Sequence, residues 1–185
     1  MTNEDYTFFN FLEDVSKKTI IKILPYTMSQ VLLMLSLAEQ EDILVAKEKK
    51  TGTSFMLTLY AIWQAAFNKK KVFYITSAYG QNDHMRLIYS IIENLPNIPP
   101  YNATYYRYDF NDGEIVFLHA FSRFQGATSD LIIFDEAEML GIQDVYDLTK
   151  KNFIVVCERE KQRLFESLFK KHLKYDTYEM IEEIG

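Results

Sequence analysis

Several features are scarce in this sequence of 185 residues, and each scarcity excludes a class of protein. It contains one cysteine, Cys157, so no disulfide can form within the chain and a reducing compartment is expected. Its 6 glycines and 4 prolines are too few for collagen, a flexible linker or a loop-rich all-β scaffold. No apolar run reaches the ~18 residues of a transmembrane helix, and the acidic N-terminus lacks the apolar segment of a secretory signal. We therefore expect a soluble, intracellular protein that is not secreted and has no membrane partner.

An excess of positive charge is missing as well. The chain carries 26 acidic and 20 basic side chains, for a net charge of −6. Small proteins that coat nucleic acid by bulk charge have the opposite sign, so any contact with nucleic acid should be local. What the chain has is apolar: 48% of its residues are hydrophobic and 15% are aromatic, which suffices for an ordinary globular core.

Apolar patterns predict strands that alternate with helices. Buried strands are predicted at 42–46, 72–76, 131–134 and 153–156, and a β-hairpin at 104–110 and 114–120. Helices are predicted at 4–23, 30–40, 55–67, 83–94 and 158–174. This order predicts an α/β fold with a mainly parallel central sheet between two layers of helices. We divide the chain into N-terminal helices packed on the core (1–41), the core (42–157), and a C-terminal helix with an acidic tail (158–185).

The segment 47–54 joins a predicted strand to a predicted helix. Loops in this place bind phosphate, because their N–H groups and the helix dipole face the anion. The usual motif is G-x-x-x-x-G-K-S/T. Aligned on Gly52, it puts Lys47 at the first glycine, Thr53 at the lysine and Ser54 at the hydroxyl position.

Two positions of this motif fit poorly, so two interpretations stay open. In the first, Gly52 allows close approach of phosphate, Ser54 binds Mg²⁺, and Lys47, Lys49 or Lys50 supplies the cation that position 53 lacks. In the second, the segment is a solvated turn rich in lysine.

Two acidic residues, Asp135 and Glu136, directly follow the apolar run 131–134. In phosphate-hydrolysing sites an aspartate in this place binds Mg²⁺ and a glutamate polarises the attacking water. The alternative is a strand that ends in acidic residues where it reaches the surface. The carboxyl ends of parallel strands meet at one edge of a sheet, so both segments are expected to form one site there.

Over residues 24–141 the chain resembles the ATPase domain of large terminases, the DNA-packaging motors of tailed phages and related viruses. The resemblance lies in Gln30 with the residues at 24–26, in the loop 45–54, in the segment 122–130, and in the acidic strand 131–137. One branch of this family has its loop lysine at the start of the loop, where Lys47 stands. Gln30 stands where the family places an adenine-contacting glutamine.

The resemblance implies a P-loop NTPase of the RecA/ASCE-like type, with ATP and Mg²⁺ as cofactors. It assigns catalysis to Lys47 and Glu136 and the metal to Ser54 and Asp135. Nucleotide binding would involve Gln30, Lys47, Lys50, Thr51, Gly52, Thr53 and Ser54. Arg123 is either a charge-stabilising finger toward a neighbouring subunit's nucleotide or a surface residue.

The function that the resemblance implies is hydrolysis of Mg-ATP coupled to packaging of viral DNA in the cytoplasm of an infected host. Expected partners are duplex DNA, held weakly by one chain, further copies in a ring, a portal, a small terminase or a separate nuclease subunit. Large terminases also carry a nuclease domain of the RNase H type. A chain of 185 residues leaves no room for one, so DNA cleavage is not expected.

Departures from the family pattern keep other functions open. Gln125 stands where the family usually has arginine, and Cys157 and Glu158 stand where it has a Ser/Ala-Thr coupling motif. One alternative is a degenerate P-loop domain that acts as a nucleotide-binding or protein-binding assembly or regulatory module. Another is a helicase-like ATPase.

Cys157 lacks the signature of a nucleophile and is expected to be a buried or half-buried thiol, and His119, at the end of a strand, is expected to be structural. His84, His119 and His172 lack metal-ligand spacing. The tyrosines of 101–108 could stack on nucleic-acid bases, but a sheet face is the favoured interpretation because aromatic residues favour strands.

Overall fold

The computed structural model describes residues 6–18, 27–39, 43–48, 51–95, 97–119, 128–139, 152–169 and 176–180. The helices in these ranges are α1 (Phe8–Lys18), α2 (Met28–Glu39), α3 (Thr53–Ala66), α4 (Ala78–Asn94) and α5 (Gln162–Phe169). The strands are β1 (Ile43–Lys47), β2 (Lys71–Thr76), β3 (Tyr101–Thr104), β4 (Arg107–Phe110), β5 (Gly113–His119), β6 (Leu131–Phe134), β7 (Phe153–Glu158) and β8 (Asp176–Met180).

All eight strands form one sheet in the order β3-β4-β5-β2-β6-β7-β1-β8. In this spatial order, every neighbouring pair from β5 through β2, β6, β7 and β1 to β8 is parallel. At the other edge, β3, β4 and β5 form an antiparallel meander. The predicted α/β fold with a mainly parallel sheet and a hairpin is therefore confirmed. Strand β7 lies between β1 and β6, so the two strands that end in the predicted site residues are separated by one strand.

The sheet is covered on both faces, which explains its continuous apolar strands. Side chains alternate between faces: Leu131 and Ile133 of β6 join a core with α1 to α4, while Ile132 and Phe134 join a second core. In that second core Phe165 of α5 is buried against the sheet. Helices therefore pack on both faces, as a three-layer fold requires.

The predicted strand at 104–110 is wrong in its extent. The chain turns at Tyr105 and Tyr106, so β3 ends at Thr104 and β4 begins at Arg107. Aromatic residues favour strands in general, but here Tyr105 is 71% exposed at the tip of the hairpin. The neighbouring turn around Asn111 was predicted correctly, and Asn111 has the positive φ of 47° that such turns require.

Helix boundaries differ from the predictions where caps decide them. Helix α3 begins at Thr53 and α4 at Ala78, two and five residues before the predicted starts at 55 and 83. In α1, Phe8, Phe11, Leu12 and Val15 are buried and Phe9 is 42% exposed.

The C-terminal part contains a strand that the sequence pattern did not predict. Strand β8 pairs in parallel with β1, from Ile43 with Asp176 to Lys47 with Met180. The predicted helix at 158–174 is shorter in the described part of the chain, because β7 continues to Glu158 and a 3-10 turn precedes α5. The division of the chain into three parts stays a prediction. None of the helices in the described ranges combines the length and hydropathy needed to span a bilayer.

Candidate functional site

The loop between β1 and α3 turns at Gly52. This residue has a φ of 74° and a ψ of 9°, the left-handed conformation that glycine adopts without steric cost. Its carbonyl accepts the N–H of Met56, so it caps α3. A Cβ at position 52 would lie 2.5 Å from Gln30 Nε2. The left-handed turn therefore favours glycine here, and a larger residue would also have to displace the Gln30 side chain.

The first turn of α2 supports this loop from one side. Gln30 and Thr27 form a reciprocal capping box, in which each backbone N–H donates to the other's side-chain oxygen at 3.2 Å. The same Gln30 amide donates from Nε2 to the carbonyl of Thr51 at 3.1 Å. Gln30 thus lies on the loop, and its predicted contact with adenine stays a prediction.

Hydroxyl groups brace the loop internally. Thr51 Oγ1 donates to the carbonyl of Glu48 at 3.1 Å and lies 2.8 Å from Thr53 Oγ1. Thr53 is buried, with 1% of its surface exposed. The residue at the usual lysine position of the motif therefore serves the loop's own structure.

Lys47 joins the loop to the acidic strand end. Its Nζ lies 3.0 Å from Ser54 Oγ and 2.7 Å from Asp135 Oδ1, although Lys47 and Asp135 are 88 residues apart. Burial opposes ionisation of Asp135, whose side chain is 1% exposed, but the charge and hydrogen bond of Lys47 outweigh it. The pKa of Asp135 is therefore lowered, and the carboxylate stays ionised inside the protein.

Behind this ion pair lies a buried polar cluster that the sequence analysis missed. Tyr74 of β2 and His84 of α4 face the second oxygen of Asp135, and Thr58 of α3 contacts His84. His84 lacked any sequence spacing that suggested a site. The one local signal was Tyr74, a hydroxyl-bearing residue in the middle of a fully buried strand.

Glu136 lies two residues after the end of β6. Its backbone is strained, with a φ of 62° that non-glycine residues seldom adopt. Its Oε2 accepts the N–H of Ser77 at 3.2 Å and lies 3.4 Å from Thr76 Oγ1. The side chain is thus held at the end of β2 and the start of α4, on the edge of the cleft.

The loop and the strand ends enclose a cleft of about 440 Å³. Its lining consists of Lys47, Glu48, Thr51, Gly52, Thr53, Ser54, Glu136, Glu138 and Glu158. Burial raises the pKa of Glu138, whose carboxylate accepts the N–H of Glu158 at 3.2 Å. Among these described lining residues four glutamates face one lysine, so an anionic ligand would need further cations.

The donor set fits Mg²⁺. Ser54 Oγ and Asp135 Oδ1 both lie within 3.0 Å of Lys47 Nζ, so a hydroxyl and a carboxylate oxygen converge on one point. Hard cations prefer such oxygen ligands. In the described ranges no group of three or more His, Cys, Asp or Glu residues could hold a metal by itself. A magnesium ion here would therefore take its remaining ligands from water and phosphate, as Mg²⁺ usually does.

Most of the predicted site residues lie together. Those that converge on the cleft and its loop are Gln30, Lys47, Thr51, Gly52, Thr53, Ser54, Asp135 and Glu136. Lys50, Arg123 and Gln125 lie outside the described residues.

The structure also places the cysteine and the tyrosines to which the sequence analysis assigned no chemistry. Cys157 is fully buried, and burial raises the pKa of its thiol to about 12, so it is not a nucleophile. Tyr108 is buried on the sheet, as predicted, whereas Tyr105 and Tyr106 are exposed.

Known structures provide the comparison for this fold. No family model matches the chain, and no curated protein matches it. The ATPase domain of the Thermus phage P74-26 large terminase matches with a TM-score of 0.58 and 14% identity, over 83% of this chain and 80% of that one.

The large terminase of a second, thermophilic bacteriophage matches in complex with ATP-gamma-S (TM-score 0.57, 13% identity) and with ADP (TM-score 0.55, 16% identity). Both matches cover 84% of this chain, which spans less than half of that terminase, 45% and 46%. The fold is therefore that of terminase ATPase domains, and the resemblance seen in the sequence is confirmed at the level of the fold.

Proposed function

We propose that this chain is a terminase-like ATPase that binds and hydrolyses Mg-ATP in the cleft. The observation that carries the proposal is the bridge from Lys47 to both Ser54 and Asp135, next to the left-handed Gly52 at the start of α3. A phosphate-binding loop, a cation and an acidic strand end meet there at the carboxyl edge of a parallel sheet. The large terminase of the thermophilic bacteriophage, which shares the fold, has been solved with ATP-gamma-S and with ADP.

In this proposal the loop N–H groups and the α3 N-terminus receive the phosphates. Lys47 neutralises charge on the β- and γ-phosphates, and it exchanges Asp135 for a phosphate oxygen when nucleotide binds. Ser54 and Asp135 would hold Mg²⁺, which when bound supplies positive charge against the phosphate oxygens. The α2 residue Gln30, which rests on the loop, would contact the adenine.

Glu136 is proposed as the general base that orients and polarises the attacking water. Its carboxylate is held by the N–H of Ser77 at the edge of the cleft. For catalysis the side chain must leave that contact and turn toward the γ-phosphate.

Of the four glutamates of the cleft, Glu48 pairs with Arg159 at 3.1 Å, and the other three favour added cations beside an anionic ligand. Besides Mg²⁺, we propose Lys50 of the same loop and Arg123 of a neighbouring copy as their source. A ring of copies would then complete each site, and packaging of duplex DNA through a portal would be the coupled work. The net charge of −6 agrees with a weak hold on DNA by one chain.

The test is binding and turnover of Mg-ATP by the wild type, Lys47→Ala and Glu136→Gln. Lys47→Ala should weaken turnover by about 100-fold or more, because it removes a charge aimed at the transferred phosphate. Glu136→Gln should keep binding and lose about 100-fold or more in turnover, since it removes the base.

Lys69→Ala is the matched control for Lys47→Ala. Lys69 is 58% exposed and pairs with Asp112 at the surface, so binding and turnover should not change. Absence of nucleotide binding by the wild type at millimolar ATP would refute the proposal. Duplex DNA that raises turnover would support the motor role, and a translocation assay with a portal partner would separate packaging from helicase work.

A second candidate is a nucleotide-binding module that does not hydrolyse ATP. The observation that favours it is the hydrogen bond from the Ser77 N–H, which already occupies Oε2 of the Glu136 carboxylate. Binding of Mg-ATP with no turnover, unchanged by Glu136→Gln, would select this candidate.

A further inference from the structure

The two carboxylate oxygens of Asp135 have different surroundings. Oδ1 lies 2.7 Å from Nζ of Lys47, which lines the cleft, although the Asp135 side chain itself is 1% exposed. Oδ2 points away from Lys47, 3.2 Å from the hydroxyl of Tyr74 and 3.6 Å from Nε2 of His84. One oxygen is therefore paired with the cation of the cleft, so a ligand can reach it only when Lys47 moves, and the other faces Tyr74 and His84.

The two residues behind Asp135 come from different elements and pack on each other. Tyr74 of β2 is completely buried and His84 of α4 is 7% exposed, with their ring centroids 4.6 Å apart. A phenylalanine at position 74 would fill the same space without burying a hydroxyl group, which is costly unless the group is hydrogen-bonded. The hydroxyl of Tyr74 lies 3.2 Å from Asp135 Oδ2 and 3.4 Å from the carbonyl of Ser54, and it also hydrogen-bonds with the side chain of Thr58. The charged and closer acceptor is favoured.

Thr58 contacts Nδ1 of His84 and is compatible with a proton on either ring nitrogen. Its Oγ1 lies 2.6 Å from His84 Nδ1 and 2.8 Å from the carbonyl of Ser54, but it has one proton to donate. A neutral imidazole likewise has one N–H, on one ring nitrogen or the other. An N–H at Nε2 would face the carboxylate of Asp135, and it leaves Nδ1 to accept from Thr58. The negative charge of Asp135 favours this tautomer over the other.

We propose that Tyr74 and His84 are positioning residues that hold Asp135 by Oδ2, so that Oδ1 is presented to the metal of a bound Mg-nucleotide. The inference rests on the proposed function. When Lys47 leaves Asp135 for a phosphate oxygen, the contacts at Oδ2 keep the carboxylate in the same rotamer. The metal then finds a ligand that is already oriented, which lowers the cost of binding.

The first measurement is metal affinity in the presence of nucleotide. Mn²⁺ binding to the protein with saturating ADP, read by electron paramagnetic resonance, is compared for the wild type, Tyr74→Phe and His84→Gln. Loss of an outer-shell partner should raise the Mn²⁺ dissociation constant by about 10-fold or more. Tyr60→Phe is the matched control, because Tyr60 is also buried and its hydroxyl donates to the Leu37 carbonyl at 2.9 Å, away from the cleft.

The second measurement needs no ligand. The ring-nitrogen NMR shifts of His84, assigned by their loss in His84→Gln, should report an N–H at Nε2 in the wild type. Thr58→Val should leave that tautomer in place, because the charge of Asp135 selects it, and a shift of the proton to Nδ1 in this variant would contradict that reasoning.

The outcomes separate the two proposals. Failure of the wild type to bind metal and ADP together would refute the proposed function, and with it the role of these residues in metal binding. Normal wild-type binding with an unchanged Mn²⁺ dissociation constant in Tyr74→Phe would overturn this inference alone, as would an N–H at Nδ1 in the wild type. A loss of affinity no larger than that of Tyr60→Phe would also overturn it.

Discussion

Replacing Lys47 with methionine removes the cation that offsets the buried charge of Asp135 while keeping a side chain of similar length. The wild-type pair has its atoms 2.7 Å apart, with side-chain exposures of 15% for Lys47 and 1% for Asp135. Breaking a buried ion pair from one side costs about 3–5 kcal/mol, because the other charge stays behind in the protein interior. Lys47 lies on the cleft, where water can reach it, so we expect the lower end, about 3 kcal/mol.

A double-mutant cycle isolates the interaction between these two side chains. In the Asp135→Asn background no charge is left uncompensated, and Lys47→Met should then cost about 1 kcal/mol, for a coupling energy of about 2 kcal/mol. Urea unfolding can be followed by the fluorescence of Trp63, the single tryptophan, which lies in α3 with Nε1 bonded to the Tyr6 carbonyl. Equal costs of Lys47→Met in both backgrounds would refute the reasoning.

The same pair gives the stability a pH dependence of known sign. In the wild type the pKa of Asp135 is lowered, so its contribution is present above the unfolded-state pKa and is lost as pH falls through the folded-state pKa. In Lys47→Met burial is opposed only by the weaker contacts of Asp135 with Ser54 and His84, so the pKa of Asp135 should rise. The penalty of this variant should therefore be largest near pH 8 and shrink as the pH falls. Lys69→Met, at an exposed pair, should change stability by less than ~0.5 kcal/mol at every pH.

Three further predictions concern single positions. Gly52→Ala should lower the free energy of unfolding in urea by about 1–2 kcal/mol, because alanine is strained at φ 74°. It should also weaken nucleotide binding, because its Cβ displaces Gln30. Unchanged stability and binding would contradict this prediction. Gly113→Ala should lower the midpoint of thermal unfolding more than Gly52→Ala does. Its Cβ would lie 2.1 Å from the backbone oxygen of Ala65, which cannot rotate away. An equal or smaller effect would show that the backbone adjusts. Cys157 should resist a thiol reagent at pH 8 until urea unfolds the protein, since its pKa is about 12, and rapid labelling of the native protein would refute that.

Residues whose role is local were predictable from the sequence. The strand at 131–134 was predicted with its observed bounds, because four apolar residues buried on both faces leave a continuous signal. Gly52 was singled out because it aligns with the second glycine of the phosphate-loop motif, and the structure gives it the left-handed φ of 74°. The predicted neighbourhood of Lys47, Ser54 and Asp135 followed from their common place at strand ends.

Contacts across the fold were not predictable in the same way. His84 lies in the middle of α4, and nothing in its neighbours along the chain distinguishes it from an ordinary helical residue. Strand β8 was missed because its residues, Asp176–Met180, are mostly polar, and pairing with β1 compensates for a weak local preference.

The sequence alone determined the class of fold, the loop and the acidic strand end, because each depends on residues that are neighbours along the chain. Only the tertiary structure decided which partners Asp135 has. The parallel sheet places the carboxyl ends of β1, β2 and β6 on the same side. Helix α4 packs on the sheet and places His84 next to Asp135. A buried carboxylate must be compensated by whatever groups the packing brings within about 4 Å of it, and that set depends on the three-dimensional arrangement of elements that lie far apart in the sequence.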